Sequence, residues 1–270
     1  MYLLRRWLIA PLTLATTFVG ACSGGDTAGT SDGGQGGTPI ATREMYISAI
    51  VEAEDDVTAG VSVSLHNGDP LFGTEFLLTG GDALSACVGV QCSPLTREPP
   101  LSDYEAELPY AAETAYTISL TRATGASAQN SVVTLPVPFT ILAPAPGLRV
   151  TDGDSVTVQW APAGADDDVD VWAQTRCKHV NRSLYVPVLL PSVRRGRLAA
   201  NVDTGTIVAD VNTILDSGWM LFPWDDPIVH CDIVIEIFQE RVGTIDTPFG
   251  GGNILGRVSR TVTLDYTPPP

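Results

Sequence analysis

Apolar and polar residues alternate along much of this chain with a period of two. In one segment Val61, Val63 and Leu65 alternate with polar residues. A period of two sends successive side chains to opposite faces of a β-strand. The same pattern recurs at Tyr104, Ala106, Leu108 and Tyr110; Tyr116, Ile118 and Leu120; Val133, Leu135, Val137 and Phe139; Val156, Val158 and Trp160; Val169, Val171 and Ala173; Cys231, Ile233, Ile235 and Ile237; and Val258, Val262, Leu264 and Tyr266. Several short strands of this kind predict an all-β fold of antiparallel sandwiches.

Two segments interrupt the alternation and suggest how the fold is divided. Residues 206–215 carry apolar residues at helical spacing, which predicts one short helix. Residues 143–147 are rich in proline and glycine and predict a linker. We therefore expect two tandem β-sandwich domains, at residues 43–142 and 143–267, with the helix in the second domain. Residues 268–270 are all proline and form a tail, because proline cannot continue a strand ladder.

The N-terminal segment has the composition of an export signal. Arg5 and Arg6 precede an uncharged, mostly apolar stretch that ends at Val19, and two small residues follow. This stretch is too short to cross a bilayer core of about 30 Å, which takes about 20 helical residues. Val19 to Cys22 resembles the lipobox of bacterial lipoproteins. The resemblance implies that residues 1–21 are removed and that Cys22 is acylated. The alternative is an ordinary secretory signal with a chance cysteine.

Residues 22–42 predict a tether between that anchor and the folded body. From Ser23 to Thr38 the chain is mostly Gly, Ser, Thr and Asp, a composition that cannot bury apolar surface. A flexible chain of about 20 such residues spans on the order of 25 Å. Ser23 stands where an Asp would retain a lipoprotein in the inner membrane, so the resemblance favours the outer membrane.

The charge of the chain excludes some partners. Arg5 and Arg6 account for two of the 15 basic residues, so the chain after residue 21 has 13 basic and 31 acidic residues. Such a chain repels nucleic-acid phosphates, and we expect no nucleic-acid partner. It also repels anionic lipid, which leaves the acyl group as the expected membrane contact.

Four cysteines remain besides Cys22, an even number in an exported chain. Cys87 and Cys92 flank a short loop and predict a local disulfide. Cys177 and Cys231 lie at the ends of strand-like segments and predict a bridge between two strands. Zinc is the alternative, although a Cys-x4-Cys spacing without a matched His pair is a weak metal signal.

Two further resemblances concern the fold alone. Leu108, followed by Tyr116, Ile118 and Leu120, resembles the E–F corner of fibronectin type III domains, where a tyrosine hydroxyl binds the corner backbone. The resemblance covers roughly residues 43–142. The turn before Val156, Val158 and Trp160 resembles the opening of bacterial immunoglobulin-like surface domains. Neither resemblance implies a chemical activity.

Candidate catalytic residues are weak, and we predict no enzyme and no cofactor. Gly153-Asp154-Ser155 matches the nucleophile motif of GDSL-type hydrolases, but the pattern around it predicts a hairpin turn rather than a strand-to-helix turn. The chain has three histidines. His179 and His230 each stand near a predicted disulfide cysteine and form a conceivable two-histidine site, with solvated strand ends as the alternative.

Three groups of residues are candidates for binding. Trp219, Trp224, Asp225 and Asp226 combine rings that stack on sugars with carboxylates that accept hydroxyl bonds, although the rings also suit a domain core. Arg194, Arg195 and Arg197 form a basic patch that suits an acidic partner. Asp166, Asp167, Asp168 and Asp170 are weak calcium candidates. We predict an envelope binding or adhesion module for a glycan or protein partner. The alternatives are a structural accessory subunit of an outer-membrane assembly and, after it, an enzyme whose site matches no known motif.

Overall fold

The computed structural model describes residues 40–68, 74–97, 103–163, 167–181, 188–200, 204–216 and 228–269, with backbone alone at 179–181 and 188–194. The elements are a 3-10 turn (Thr42–Glu44), β1 (Met45–Ala53), β2 (Thr58–Asn67), β3 (Thr74–Glu75), β4 (Ala83–Val88), β5 (Gln91–Pro94), β6 (Thr96–Arg97), β7 (Tyr104–Pro109), β8 (Ala115–Thr121), β9 (Ala128–Thr134), β10 (Thr140–Ala143), β11 (Leu148–Val150), β12 (Ser155–Ala161), β13 (Asp168–Asn181), β14 (Val188–Ala199), β15 (Thr206–Asp210), α1 (Val211–Asp216), β16 (Ile228–Val242) and β17 (Gly251–Tyr266). None of the described helices is long and apolar enough to cross a membrane. The predicted all-β class is confirmed.

One long sheet organises these strands. Its order is β14-β13-β16-β17-β1-β2-β7-β6, with β11 paired to β17 and β3 to β2. β1 places alternate residues from Met45 to Ala53 on a fully buried face. β16 does the same with Ile233, Ile235 and Ile237. The alternation seen in the sequence therefore defines an inner, apolar face and an outer, more polar face along this sheet.

Two smaller sheets share one hydrophobic core with the inner face. The first has the order β5-β4-β8-β9 and the second the order β10-β12-β15. Tyr116, Ile118 and Leu120 of β8 are fully buried. On β12, Val158 is fully buried and Trp160 is 2 % exposed. The core cluster contains residues of all three sheets. α1 packs beside the second small sheet, against β13 and β14.

The long sheet continues across the predicted domain boundary at residues 142 and 143. β17 pairs in parallel with β1, so that Tyr46 lies opposite Gly251 and Ala53 opposite Val258. Beyond β1, β17 pairs with β11, and its residues from Leu255 to Tyr266 pair with β16. Residues 40–270 form a single compact unit. The division into two domains remains a prediction. Because β1 pairs with β17, residues 43–142 and 143–267 both contribute strands to the long sheet.

Two arginines connect the segments on either side of that boundary. Arg241 on β16 donates to both carboxylate oxygens of Asp167, at 2.7 and 2.8 Å, and to the Thr134 hydroxyl at 3.1 Å. Its hydrogen bonds to Asp167 raise the pKa of the Arg241 guanidinium. Arg260 on β17 donates to Asp56 in the turn after β1 and lies over the Phe139 ring. Charge-assisted contacts of this kind fix the relative position of β9, β16 and the β1–β2 turn.

The predicted tyrosine corner is present. The Tyr116 hydroxyl donates to the Pro109 carbonyl at 2.9 Å and accepts from the Ala111 N–H at 2.8 Å. Leu108, the other residue of the motif, is 4 % exposed. The hydroxyl thus gives hydrogen-bond partners to one N–H and one carbonyl of the backbone between β7 and β8.

Two predicted elements differ in their bounds. The alternating segment from Val133 to Phe139 is not one strand, because β9 ends at Thr134, just before a region with two prolines. The predicted helix over 206–215 begins at Val211, and β15 precedes it. Asp210 caps this helix, since its carboxylate accepts from the N–H groups of Asn212 and Thr213.

Candidate interaction surface

The outer face of the long sheet carries a cluster of aromatic and charged side chains on β13, β14 and β16. Trp172 lies opposite Arg197 on one side and Glu236 on the other. The guanidinium carbons of Arg195 and Arg197 lie 4.8 and 5.5 Å from the centre of the Trp172 ring. Both distances are within the range of cation–π attraction. We call these residues, with the acids described next, the Trp172 cluster.

Each arginine of the Trp172 cluster also has an acidic partner. Arg195 donates to Glu236 at 2.8 Å, and Arg197 donates to Asp170. Asp170 is 5 % exposed, whereas the Arg197 side chain is 49 % exposed. Each pair therefore has one sheltered carboxylate, while the Arg197 guanidinium still reaches solvent. The predicted basic patch exists at these two positions, but it is built into a network.

A second stack follows on the same face, toward β1. The Arg257 guanidinium lies 4.6 Å from the centre of the Phe238 ring and donates to Glu240 at 2.5 and 2.9 Å. Glu52 on β1 lies 3.9 Å from the same guanidinium. Burial raises the pKa of the Glu52 carboxyl, and Arg257 partly opposes that shift. Because Arg257 covers the ring, Phe238 is 5 % exposed although it lies on the outer face.

Two of the calcium candidates, Asp167 and Asp170, bind arginine side chains. Asp167 binds Arg241 through both carboxylate oxygens, and Asp170 binds Arg197. Asp168 begins β13, and Asp166 lies outside the described residues. Within the described ranges, no three His, Cys, Asp or Glu side chains are arranged to hold a metal. Two of the four carboxylates therefore bind arginine in this fold.

His230 lies between two carboxylates on the outer face. Its Nε2 is 3.1 Å from Asp232 and its Nδ1 is 3.2 Å from Asp265. The other histidine of the predicted pair, His179, lies opposite Ile228 in the backbone register, and its side chain is outside the described set. The proposed two-histidine site remains a prediction.

Both predicted disulfides are present. Cys87 and Cys92 close the hairpin between β4 and β5, where they lie directly opposite each other. Cys177 and Cys231 join β13 to β16 at directly opposed positions near one end of the long sheet. Val90, in the turn that the first disulfide closes, is 99 % exposed. The even cysteine count, together with the short loop between Cys87 and Cys92 and the strand ends at Cys177 and Cys231, was a sufficient signal for both pairings.

Gly153, Asp154 and Ser155 form the predicted turn rather than a hydrolase nucleophile site. Gly153 has φ +79°, and the Asp154 carboxylate accepts from the Thr151 N–H at 2.8 Å. Ser155 then begins β12. The positive φ explains the glycine, because other residues adopt that conformation rarely.

Sequence reasoning missed the contacts at the start of the folded body. The buried Arg122 guanidinium donates to the Ile40 carbonyl from both terminal nitrogens, at 3.1 Å each. Its Nε lies 2.7 Å from Asp82, and the two side chains are 4 % and 8 % exposed. Thr42 donates to the Ala126 carbonyl and accepts from Arg122. We call this arrangement the Arg122 clamp. A single arginine at a strand end gives no sequence signal of burial.

Several candidate residues fall outside the described ranges. These are Cys22, Trp219, Trp224, Asp225 and Asp226; for Arg194 the backbone alone is described, opposite Thr175. A cleft of about 220 Å³ at the junction of β10 and β17 is lined by Thr140, Ile141, Pro144, Pro146, Arg260, Thr261 and Val262. It is smaller than the roughly 300–1,000 Å³ of typical ligand sites.

Comparison with known proteins finds distant structural likeness alone. No family model and no curated protein sequence matches the chain. One crystal form of a cytokine receptor complex is 16 % identical over 71 % of this chain and 89 % of that chain, with a TM-score of 0.26. A second crystal form is 13 % identical over 78 % of this chain and 94 % of that chain, with a TM-score of 0.25. The FN1–FN3 domains of chicken CNTN1 are 8 % identical over 83 % of this chain and 66 % of that one, with a TM-score of 0.19. The sandwich architecture therefore rests on the strands described above.

Proposed function

We propose that this protein is a cell-envelope lipoprotein, anchored through Cys22, that acts as a binding or interaction module. The observation that carries the proposal is the course of β17. One end of β17 lies beside the start of β1, where Gly251 is opposite Tyr46, and the other end lies beside the Cys177–Cys231 bridge, where Tyr266 is opposite Cys231. Fifteen residues at about 3.3 Å each separate these ends by roughly 50 Å.

The Arg122 clamp, at the start of the folded body, also supports this proposal. A body that is held through a flexible tether needs a fixed point where the tether ends. Ile40 is that point in the described chain, because its carbonyl is held by the buried Arg122 guanidinium. From there the 3-10 turn leads directly into β1, a strand with partners on both sides. The opposite, far end of the sheet is marked by Tyr266 and Cys231, which lie opposite each other.

The far end of the sheet is the part that we propose to meet a partner. β13 ends there at Asn181, β14 begins there at Val188, and β16 begins there at Ile228. Residues 217–227, with Trp219, Trp224, Asp225 and Asp226, precede β16 in the chain and stay a predicted contact segment. A glycan or a protein of the envelope is the proposed class of partner.

Replacing the acylated residue tests the anchor. In Cys22→Ser the thioether that carries the lipid cannot form, so we expect no incorporation of labelled fatty acid and release of the protein from membranes. Ser23→Ala is the matched control and should be labelled and fractionate as the wild type does. Wild-type fractionation of Cys22→Ser with membranes would refute the anchor.

Alanine variants of Trp219 and Trp224 test the contact segment. If the rings bind a partner, each variant weakens binding to envelope glycan and melts near the wild-type temperature. If the rings are core, each variant costs on the order of 3–5 kcal/mol and the melting temperature falls sharply. Strong destabilisation by both variants would remove this segment from the proposal.

A further inference from the structure

The basic residues of this acidic protein are concentrated in one segment of the sequence. Between residues 171 and 199 the chain has no Asp or Glu and carries Arg176, Lys178, Arg182, Arg194, Arg195 and Arg197. These are six of the 13 basic residues after residue 21, and all 31 acidic residues lie elsewhere. The described strands of this segment, β13 and β14, pair antiparallel, with Arg197 opposite Trp172 and Arg176 opposite Val193. We call these two strands the basic hairpin.

The basic hairpin also provides an edge of the long sheet. β14 is the first strand in the sheet order, and among the described strands it pairs with β13 alone. It runs for 12 residues, from Val188 to Ala199. The outer edge of such a strand presents a row of backbone N–H and C=O groups that can pair with a further strand.

The exposed charges lie beside that edge. Arg195 and Arg197 belong to β14 itself, and their side chains are 33 % and 49 % exposed. Arg176 and Lys178 on β13 are exposed on the same outer face. A strand added to β14 would have its alternate side chains on this face, at about 5 Å from Arg195 and Arg197. Carboxylates at those positions complement the guanidinium groups.

We infer that the basic hairpin binds an extended acidic protein segment, which adds to the β14 edge as a further strand. The inference rests on the proposed interaction function and names the class of its partner. Strand addition supplies main-chain hydrogen bonds, and alternate carboxylates supply the charge match. A polyanion such as a sulfated polysaccharide shares the charge but cannot pair with the backbone edge. An acidic peptide uses both features of the hairpin, which is why we favour it.

The direct test is binding of defined peptides to the full chain purified in detergent micelles. The probe is a fluorescent peptide of about eight residues, within the ordinary strand range, that alternates Thr and Glu. A matched peptide has the same sequence with every backbone nitrogen methylated, which keeps the charge and removes all backbone donors. We expect the Thr–Glu peptide to bind at least about tenfold more tightly, because the methylated peptide cannot donate to the β14 edge. Anisotropy titrations measure both affinities.

Variants of the hairpin locate the site. Arg197→Gln should weaken binding of the Thr–Glu peptide about two- to fivefold at low salt, as expected for one exposed ion pair. Lys178→Gln serves as a second variant, because Arg197 pairs with a sheltered carboxylate and its loss can disturb the sheet. Arg149→Gln, at an exposed arginine on β11, is the control and should bind as the wild type does.

Each other outcome overturns the inference. Equal affinity for the two peptides would show charge attraction without strand addition. Tighter binding of a sulfated polysaccharide, in competition with the peptide, would assign the hairpin to a polyanion. Undetectable peptide binding would remove the site. These measurements use purified protein, so they fail or succeed independently of the Cys22→Ser fractionation.

Discussion

The two ends of the long sheet are held together by different chemistry. At the start of the body, the Arg122 clamp fixes Ile40 with hydrogen bonds and a buried ion pair. At the far end, the Cys177–Cys231 bridge joins β13 to β16 covalently. The Arg122 clamp depends on a buried charge that is paired with an opposite charge. The disulfide stabilises the fold because it lowers the conformational entropy of the unfolded chain.

This difference shows which positions tolerate change at each end. A buried ion pair stabilises little in net terms, but removal of one partner leaves an unmatched charge. A disulfide tolerates changes around it, because its effect depends mainly on the length of the loop that it closes. We therefore expect the entry of the chain to be sensitive to single polar substitutions, and the far end to be sensitive to reduction.

The largest effect is expected for Arg122→Met. The variant leaves the Asp82 carboxylate, whose side chain is 8 % exposed, without its charged partner. Such a loss costs about 3–5 kcal/mol of the free energy of unfolding. Urea denaturation measures it, with Arg149→Met as an exposed control that should stay within about 0.5 kcal/mol. A change below about 1 kcal/mol would show that Asp82 keeps its solvation without Arg122.

Adding Asp82→Asn sharpens this result. The double variant removes both charges, so it should recover part of the loss seen in Arg122→Met alone. A double variant no more stable than Arg122→Met would mean that the contact with Ile40, and not the charge match, stabilises this end.

The two disulfides should differ in their contribution. The cysteines of the far-end bridge are 54 residues apart and those of the hairpin bridge 5. The loop model gives about 4 kcal/mol for the first and about 2 kcal/mol for the second. Paired Cys-to-Ser variants, compared by urea denaturation, measure the difference. Equal losses, or a larger loss for the Cys87 and Cys92 pair, would contradict the loop-length argument.

A smaller effect is expected at the tyrosine corner. Tyr116→Phe keeps the buried ring but removes the hydroxyl that bonds Pro109 and Ala111. Buried groups that lose their partner cost about 1–3 kcal/mol. Tyr110→Phe is the matched control, because the Tyr110 hydroxyl is buried without a partner in the described structure. Its removal should leave stability unchanged or raise it; equal losses for the two variants would refute the role of the corner.

Features that depend on local pattern were predictable from the sequence. The alternation at Ile233, Ile235 and Ile237 identified buried strand positions, and all three are fully buried. The tyrosine corner was predictable through the resemblance of Leu108 and Tyr116 to the E–F corner of fibronectin type III domains. The cysteine pairings followed from their number and from the strand ends on which they lie.

Features that depend on strand partners were not predictable. Alternation indicates a face but names no neighbour, so the parallel pairing of β1 with β17 could not be foreseen. β14 was missed because Pro191 and Gly196 interrupt its pattern. The candidate patch at Arg195 and Arg197 was found by composition, whereas its contact with Trp172 depends on the register of β13 and β14.

The last prediction concerns pH at the far end of the sheet. The Tyr266 hydroxyl donates to Asp152 at 2.5 Å, and the residue is 3 % exposed. Burial, together with this hydrogen bond, raises the pKa of Tyr266 from 10.0 to about 12. The folded state therefore favours neutral Tyr266. That contribution to stability is complete below pH about 10, the unfolded value, and is lost as the pH rises toward about 12.

Tyr266→Phe isolates this contribution. The variant lacks the ionisable group, so its stability should fall less between pH about 10 and about 12 than that of the wild type. Tyrosinate absorbance provides the direct readout, since the difference between the two titrations should show one group ionising near pH 12. Tyr46→Phe, at the other end of β17, controls for the loss of a tyrosine from the seven in the chain. A difference titration centred near pH 10 would mean that the Asp152 contact does not hold Tyr266 neutral in solution.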